Sequence, residues 1–216
     1  MFLTRAELDA VDARIAEIEA ATGVEIVASV IGKADAYPEL PWKAFALGTA
    51  LTALALAVVD ALAPAWPLPQ GALVVGVAIL GVGAVLALAA VFAPGFARLF
   101  LRATRRELEV RQYAQALFLE RELFRTKTRT GILLLVSLFE RRVEIVADRG
   151  FRGRIGESDW RQVVARMTPE LTERQPAAAL LTGLDALADL LLRTGFRADR
   201  ADANELPDRT IEVKGE

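Results

Sequence analysis

A long stretch almost without charge constrains this chain more than any other feature. Residues 44–97 contain a single charged side chain, Asp60, although Asp, Glu, Lys and Arg make up 25% of the 216 residues. A wholly soluble domain of this size cannot hide such a run, because its helices and strands interleave charged surface positions. The rest of the chain is rich in charge and keeps enough apolar residues for a core. We therefore predict one modest water-soluble domain plus a membrane segment.

The uncharged run divides into two predicted membrane spans. Residues 44–59, extended by Trp42 and by residues 61–63, form the first, and residues 71–97 form the second. Each is long enough to cross about 30 Å of hydrocarbon as a helix. Between them, residues 63–70 include three prolines, which end a helix, and Trp66, which suits the headgroup zone. This pattern predicts a transmembrane hairpin over residues 42–98; the alternative is a buried helix pair in a soluble core, although neither segment has the polar stripe of such helices.

One face of the first span is predicted to contact another helix. Thr49, Ala53, Ala57 and Ala61 recur every four residues, so their small side chains share a face that permits close helix approach. The second span is the predicted partner, and a homodimer through the same face is the alternative.

Positive charges flank the predicted hairpin on its outer sides. Lys33 and Lys43 precede the first span, four arginines (Arg98, Arg102, Arg105 and Arg106) follow the second, and the loop between the spans has no Lys or Arg. The positive-inside rule therefore places both flanks, and both termini, in the cytoplasm. The N-terminus has no apolar run of signal-peptide length, so neither cleavage nor export is predicted.

Composition excludes several classes of function. The chain has no Cys and no His, which removes disulfides, Cys or Cys/His zinc sites, thiol nucleophiles and Ser-His-Asp triads. Its net charge is −2 without a long basic tract, so nucleic acid is not a predicted partner. No catalytic residue is predicted.

The water-soluble elements lie on both sides of the hairpin. Before the hairpin at residues 42–98, the sequence predicts a helix at residues 4–22 and a strand at residues 24–31. After the hairpin it predicts a helix at about residues 104–125 and two strands, at residues 131–137 and 143–147. Two helices follow: one is capped near Ser158, and the other follows a capping box at Thr172 and ends at Gly195. The first strand has too few neighbours to fold alone, so it must pair with strands beyond the hairpin. This predicts a discontinuous α/β domain, residues 1–36 plus 100–196, with the hairpin inserted and tethering it to the membrane, and a polar C-terminal tail, residues 197–216.

A glycine-rich and arginine-rich turn follows the third predicted strand. Residues 149–156 contain three glycines together with Arg149, Arg152 and Arg154, and this combination could cradle phosphate or an anionic lipid. No Gly-Lys-Ser/Thr follows, so the segment is not a P-loop. The alternative is a turn that only connects a strand to a helix.

Three carboxylates flank that turn. Asp148, Glu157 and Asp159 could gather as oxygen ligands for Ca²⁺ or Mg²⁺, and no other cofactor is predicted. Alternatively, two of them are favourable charges at the N-terminus of the helix near Ser158.

Several short segments resemble the TPM domain family. They are Glu19 with residues 22–27, residues 130–137, residues 142–150, Trp160, and residues 204–208; the stretch 130–150 is the most specific. The chain looks closest to a bacterial branch with a membrane hairpin inside the domain. The resemblance implies a three-layer α/β/α sandwich on a small mixed sheet, in the bacterial inner (cytoplasmic) membrane.

The resemblance also implies two kinds of function. Relatives act in photosystem II repair, as membrane-anchored modulators of an acetylcholine receptor and, for some plant members, as reported phosphatases with divalent-metal sites. Many members carry Asp or Asn before the Gly that opens the second strand, where this chain has Thr130; Asp148 and Asp159 remain as matching ligand candidates. We expect a non-enzymatic, membrane-tethered interaction module that assists assembly, repair or turnover of a membrane protein complex; the alternative is a divalent-metal-dependent phosphatase.

Overall fold

The computed structural model of the chain describes residues 2–62, 71–198 and 210–213. The predicted loop at residues 63–70 and residues 204–208 of the resemblance lie outside them. The chain divides into two compact units. We refer to Met1–Asp35 with Glu107–Glu216 as the α/β unit and to Ala36–Arg106 as the hairpin unit. The domain boundaries expected from the sequence remain a prediction.

The fold is mixed α/β and mostly helical. Its elements are α1 (Arg5–Thr22), β1 (Glu25–Ile31), α2 (Glu39–Leu62), α3 (Ala72–Phe92), α4 (Pro94–Ala97), α5 (Ala103–Glu120), β2 (Gly131–Ser137), β3 (Arg142–Ala147), α6 (Glu157–Thr172), α7 (Pro176–Arg193) and β4 (Ile211–Val213). Single 3₁₀ turns lie at Arg98–Phe100, Leu123–Arg125 and Arg149–Phe151.

A small mixed sheet of four strands lies at the centre of the α/β unit. Its strand order is β3-β2-β1-β4. β1 runs parallel to β2 and to β4, while β2 and β3 are antiparallel. Glu25 lies opposite Gly131 and Ile31 opposite Ser137. The first strand thus pairs beyond the hairpin, as the sequence predicted.

Apolar side chains cover both faces of this sheet. On one face, alternate residues of β1 and β2 such as Ile26 and Leu134 pack in one cluster with α1, α6 and α7. On the other, Val27 and Leu133 pack with the α5 residues Val110, Ala114, Leu117 and Phe118. Because β1 and β2 are covered on both faces, they read in the sequence as continuous apolar runs rather than as alternating ones.

Strand β4 lies in the segment that the sequence assigned to a polar tail. Hydrogen bonds join it to the N-terminal region: Glu212 Oε1 accepts from the backbone N–H groups of Phe2 and Leu3, at 2.7 and 2.6 Å. Asp12 Oδ1 accepts from the N–H of Thr210 at 2.8 Å. A three-residue strand with a glutamate at its centre has no apolar pattern that could have revealed it.

Three helix boundaries differ from their prediction. α5 ends at Glu120 rather than near Arg125, because Glu122 adopts a left-handed conformation (φ 53°) that breaks the helix. α6 is capped at Gly156 rather than near Ser158. Thr172 ends α6 instead of opening the next helix; α7 begins at Pro176, a residue pre-organised for the first helical position.

In the hairpin unit, α2 and α3 approach most closely at two glycines. A Cβ added to Gly83 would lie 2.6 Å from Thr49 Cγ2, and one added to Gly48 would lie 3.0 Å from Gly83 Cα. Ala53, Ala57 and Ala61 are exposed. Of the predicted small face, Thr49 meets the second helix, whereas the three alanines are exposed; the closest approach lies at the two glycines.

Candidate functional site

Asp148 lies at the end of β3 and uses both carboxylate oxygens within the protein. Arg129 Nε donates to Oδ2 at 2.7 Å and Arg129 Nη2 donates to Oδ1 at 3.1 Å. Oδ1 also accepts the backbone N–H of Arg149 at 2.7 Å, which caps the 3₁₀ turn. Only 7% of the Asp148 side chain is exposed. This carboxylate therefore holds two segments together.

The backbone reinforces the same junction. Gly150 N–H donates to the carbonyl of Arg129 at 2.9 Å, and a Cβ on Gly150 would lie 2.5 Å from that carbonyl oxygen. Arg129 itself has a left-handed backbone (φ 58°). We call Arg129, Asp148 and Gly150 the Arg129 clamp. It joins the loop before β2 to the turn after β3, and only glycine fits at its third position.

Thr130 stands where the resembling family often has Asp or Asn. Its side chain hydroxyl lies 2.6 Å from that of Thr128, and its backbone N–H donates to Thr126 Oγ1 at 2.9 Å. Thr126 and Thr130 are both buried. Thr130 is thus part of a network of hydroxyl groups that orders the loop before β2. Because this residue is a threonine, it directs no carboxylate at Asp148.

Asp159 and Glu157 belong to the first turn of α6. Asp159 Oδ2 accepts the N–H of Gly156 at 2.8 Å, as an N3 residue of a capping box does. Glu157 is exposed. Residues 2–62, 71–198 and 210–213 contain no group of three or more Asp and Glu residues that could hold a metal ion. Asp148, Glu157 and Asp159 do not converge, and the Asp148 and Asp159 carboxylates are engaged in local structure.

The three arginines of the turn have different surroundings. The Arg154 guanidinium lies 3.8 Å from the centre of the Phe196 ring and donates from Nη2 to the Thr194 carbonyl at 3.0 Å. It thus satisfies a carbonyl at the C-terminal end of α7. Arg149, Arg152 and Arg154 are all exposed. Their role as an anion-binding set stays a prediction.

A half-buried carboxylate lies on β3, outside the predicted sites. Burial raises the pKa of Glu144, whereas the positive charges of Arg111 and Arg142 oppose that rise and Glu107 adds to it. In register it lies opposite Leu135, on the sheet face that α5 covers. This surrounding makes Glu144 a group whose ionisation weakens the folded state at neutral pH.

A cleft of about 300 Å³ lies between β3 and α6. Arg141, Arg142, Val143, Thr168 and Thr172 contribute to its lining. Both threonine hydroxyls donate to carbonyls of their own helix, at 3.2 and 2.9 Å. Arg142 lies 3.6 Å from Glu107. Because Arg142 and both threonines already have internal partners, these three side chains are not a free convergent set that fixes a ligand.

The outer surface of the hairpin unit is apolar. Helices α2 and α3 are each long and apolar enough to cross a membrane, and only 6% and 11% of their most apolar windows are buried. Large side chains exposed on them are Trp42, Leu47, Leu51, Leu54, Val58, Val59, Leu62, Leu73, Val74, Val77, Leu80, Val82, Val85, Leu88, Val91 and Phe92. The low burial distinguishes this pair from the core helices of a soluble domain.

The sequence contains a signal for the Arg129 clamp that the predicted metal site did not take into account. Arg129 stands two residues before β2 and Asp148 directly after β3. Since the two strands are antiparallel neighbours, residues flanking the start of one and the end of the other are brought side by side. Opposite charges at these two positions predict an ion pair, which competes with a metal for Asp148.

Comparisons with known proteins agree with this architecture. Residues 99–190 match the family described as the TPM domain. A solved structure, "NMR structure of BA42 protein from the psychrophilic bacteria Bizionia argentinensis sp. nov.", is similar over 99% of this chain and 97% of its own, with a TM-score of 0.59 and 14% identity. At that identity the likeness shows the fold alone. A comparison with curated proteins found no match. The similarity to the TPM domain thus covers residues 99–190 of this chain.

Proposed function

We propose that this protein is a membrane-tethered interaction module in which α2 and α3 cross the bilayer and the α/β unit binds a membrane protein complex. The observation that carries the proposal is the apolar, exposed surface of two helices inserted in the chain between β1 and α5. An apolar surface of this extent is unfavourable in water and favourable in lipid. We further propose that α1, α6 and α7, the sheet, and α5 are the three layers of an α/β/α sandwich.

The distribution of charge supports a cytoplasmic α/β unit in the bacterial inner membrane. Lys43 follows the start of α2, and Arg98, Arg102, Arg105 and Arg106 follow α3, whereas residues 63–70 have no Lys or Arg. Positive residues near span ends are retained on the cytoplasmic side. Both termini then lie in the cytoplasm, where the module assists assembly, repair or turnover of its partner.

The Arg129 clamp favours a binding role over catalysis. Its guanidinium occupies the Asp148 carboxylate that a metal-dependent phosphatase would need, and Asp159 caps α6.

The exposed alanines of α2, Ala53, Ala57 and Ala61, are compatible with a homodimer in the membrane, which also belongs to the proposal.

Crosslinking in intact membranes followed by mass spectrometry tests the binding role. The full-length chain should capture a defined membrane protein complex, and R149Q/R152Q should reduce that capture more than R5Q/R161Q, which removes two exposed arginines elsewhere. Failure to capture any partner would contradict the proposal.

A metal titration tests the phosphatase alternative on the same preparation. We expect no Ca²⁺- or Mg²⁺-dependent hydrolysis of a phosphate monoester and no metal-induced shift in melting temperature. A metal-stimulated activity that D148N/D159N abolishes would replace the binding role by the enzymatic one.

A further inference from the structure

A cleft of about 540 Å³ opens within the hairpin unit, near the start of α2 and the start of α5. Its lining consists of Glu39, Lys43, Leu101, Arg102 and Arg105. Lys43 and Arg102 stand 59 positions apart in the sequence and meet here because the hairpin returns the chain to its starting end. Charges that the positive-inside rule treats as separate flanks therefore share one concave surface.

The charge of the cleft selects an anion. Three of its side chains are cationic and one is a carboxylate. The Lys43 ammonium is 3.9 Å from Glu39 Oε1, at the limit of an ion pair, and 45% of its side chain is exposed. Arg102 and Arg105 are exposed on the same surface. Two guanidinium forks and an ammonium are the donors that bind phosphate oxygens in proteins.

Apolar groups around the cleft select an amphipathic anion over a free one. Leu101, which lines it, is buried. Trp42, next to Lys43, and Leu99, within the 3₁₀ turn Arg98–Phe100, are 73% and 78% exposed. Trp42 packs edge-on against Phe45, and Phe96 against Phe100, with ring centres 6.1 and 5.3 Å apart. Aromatic rings beside cations at span ends are typical of headgroup depth.

We infer that this cleft binds the phosphate headgroup of an anionic phospholipid, with the acyl chains against the exposed apolar surface of the hairpin unit. The inference rests on the proposed membrane crossing and adds to it a defined site, separate from the turn at Arg149. Lys43, Arg102 and Arg105 contact the phosphate, and Leu101 contacts the glycerol and first methylenes. The lipid thereby fixes the depth at which α2 and α5 begin.

Native mass spectrometry of the full-length chain, purified from vesicles of phosphatidylcholine and phosphatidylglycerol, tests the site. The wild-type chain should retain one phosphatidylglycerol. In K43Q/R102Q/R105Q, the fraction of chains that carry this lipid should be at least about tenfold lower. K43R/R102K/R105K, which keeps the charges, should retain it. R5Q/R121Q/R161Q removes three exposed arginines of the α/β unit and should behave like wild type.

Each other outcome has a distinct meaning. If K43Q/R102Q/R105Q and R5Q/R121Q/R161Q lose the lipid to the same extent, or both retain it, the cleft is not the lipid site. That result leaves the proposed membrane crossing unchanged. Displacement of the lipid by millimolar inorganic phosphate shows a free-anion site and overturns the lipid as occupant. Carbonate extraction of the same vesicles tests the crossing itself: release of the wild-type chain overturns the proposed function and the lipid site with it. A thermal melt confirms that each variant is folded.

Discussion

Asp148 shows how a single side chain separates the two functional hypotheses. Its oxygens accept two hydrogen bonds from Arg129 and one from the backbone of Arg149. Replacing Asp148 by Asn breaks a largely buried charged pair, so the free energy of unfolding should fall by about 2–4 kcal/mol. Denaturant unfolding of D148N in detergent measures this loss.

Asp159 provides the matched control for that experiment. D159N alters only a capping contact at the start of α6, so its cost should be about 1 kcal/mol or less. In a metal site of clustered carboxylates, neutralising Asp148 would relieve repulsion in the metal-free protein. A D148N chain more stable than wild type would therefore refute the ion-pair role.

Glu144 should make the stability of the α/β unit depend on pH. Burial raises its folded pKa above the ordinary 4.5, so the folded state binds its proton more tightly than the unfolded state does. The contribution of Glu144 to the free energy of unfolding is fully present below pH 4.5. It is lost as the pH rises through the folded pKa. E144Q should therefore be more stable than wild type at pH 7, by less than about 1 kcal/mol because the group is only half-buried.

The gain from E144Q should disappear as the pH falls below 4.5, where the carboxyl is protonated in both states. Thermal melts across this range test the sign. E107Q, at a neighbouring carboxylate with 60% exposure, should change stability by no more than about 0.5 kcal/mol. A pH-independent gain in E144Q would mean that packing, rather than ionisation, causes it.

Among the elements, the α2–α3 pair depends on glycine at its point of closest approach. G83A places a methyl group 2.6 Å from Thr49 Cγ2 and 3.0 Å from the Phe45 ring, so the helices must separate, at about 1–3 kcal/mol. G81A in the same helix is the control, because its added Cβ has no atom within 4 Å. Proteolysis of the hairpin in detergent should be faster for G83A alone; equal rates would contradict this packing.

The sequence predicted the elements with long or periodic patterns. The strands at residues 131–137 and 143–147 and both apolar helices are visible as runs, so the pairing of β1 beyond the hairpin could be inferred. β4 could not, because it is three residues long and is held by Glu212 and Asp12, contacts made far along the chain. The closest approach of α2 to α3, at Gly48 and Gly83 rather than along the alanines, was missed for a similar reason: spacing identifies small residues but does not show which of them meets a partner.

The candidate site was predictable to a smaller extent. The position of the turn after β3 followed from the sequence, and a favourable charge at the start of α6 was one of the two alternatives for Asp159. The contacts of Arg154 with Phe196 and Thr194 could not be predicted, because the two partners lie about 40 residues away at the end of α7. Spacing in the sequence identifies candidate functional side chains. The internal contacts that compete with a ligand for those side chains are set by the tertiary fold.

At the scale of the whole molecule, β1 makes the α/β unit depend on both ends of the chain. It lies between β2 and β4, and all seven of its residues are buried. Residues 107–216 alone should therefore lack a cooperative melt, since the central strand and α1 are missing. Replacing residues 36–106 by a Gly/Ser linker should restore cooperativity. A cooperative melt of residues 107–216 alone would show that the first strand is dispensable.

Cysteine labelling tests the orientation of the whole chain, because the sequence contains no Cys of its own. A65C introduces a thiol into the segment between α2 and α3, and S158C introduces one at an exposed position of α6. If the hairpin crosses the bilayer twice with its positive flanks inside, an impermeant maleimide added to intact cells should label A65C and spare S158C. Permeabilised cells, in which both thiols should react, control for accessibility. Labelling of S158C in intact cells would place the α/β unit outside, and protection of both thiols would mean that α2 and α3 do not cross the membrane.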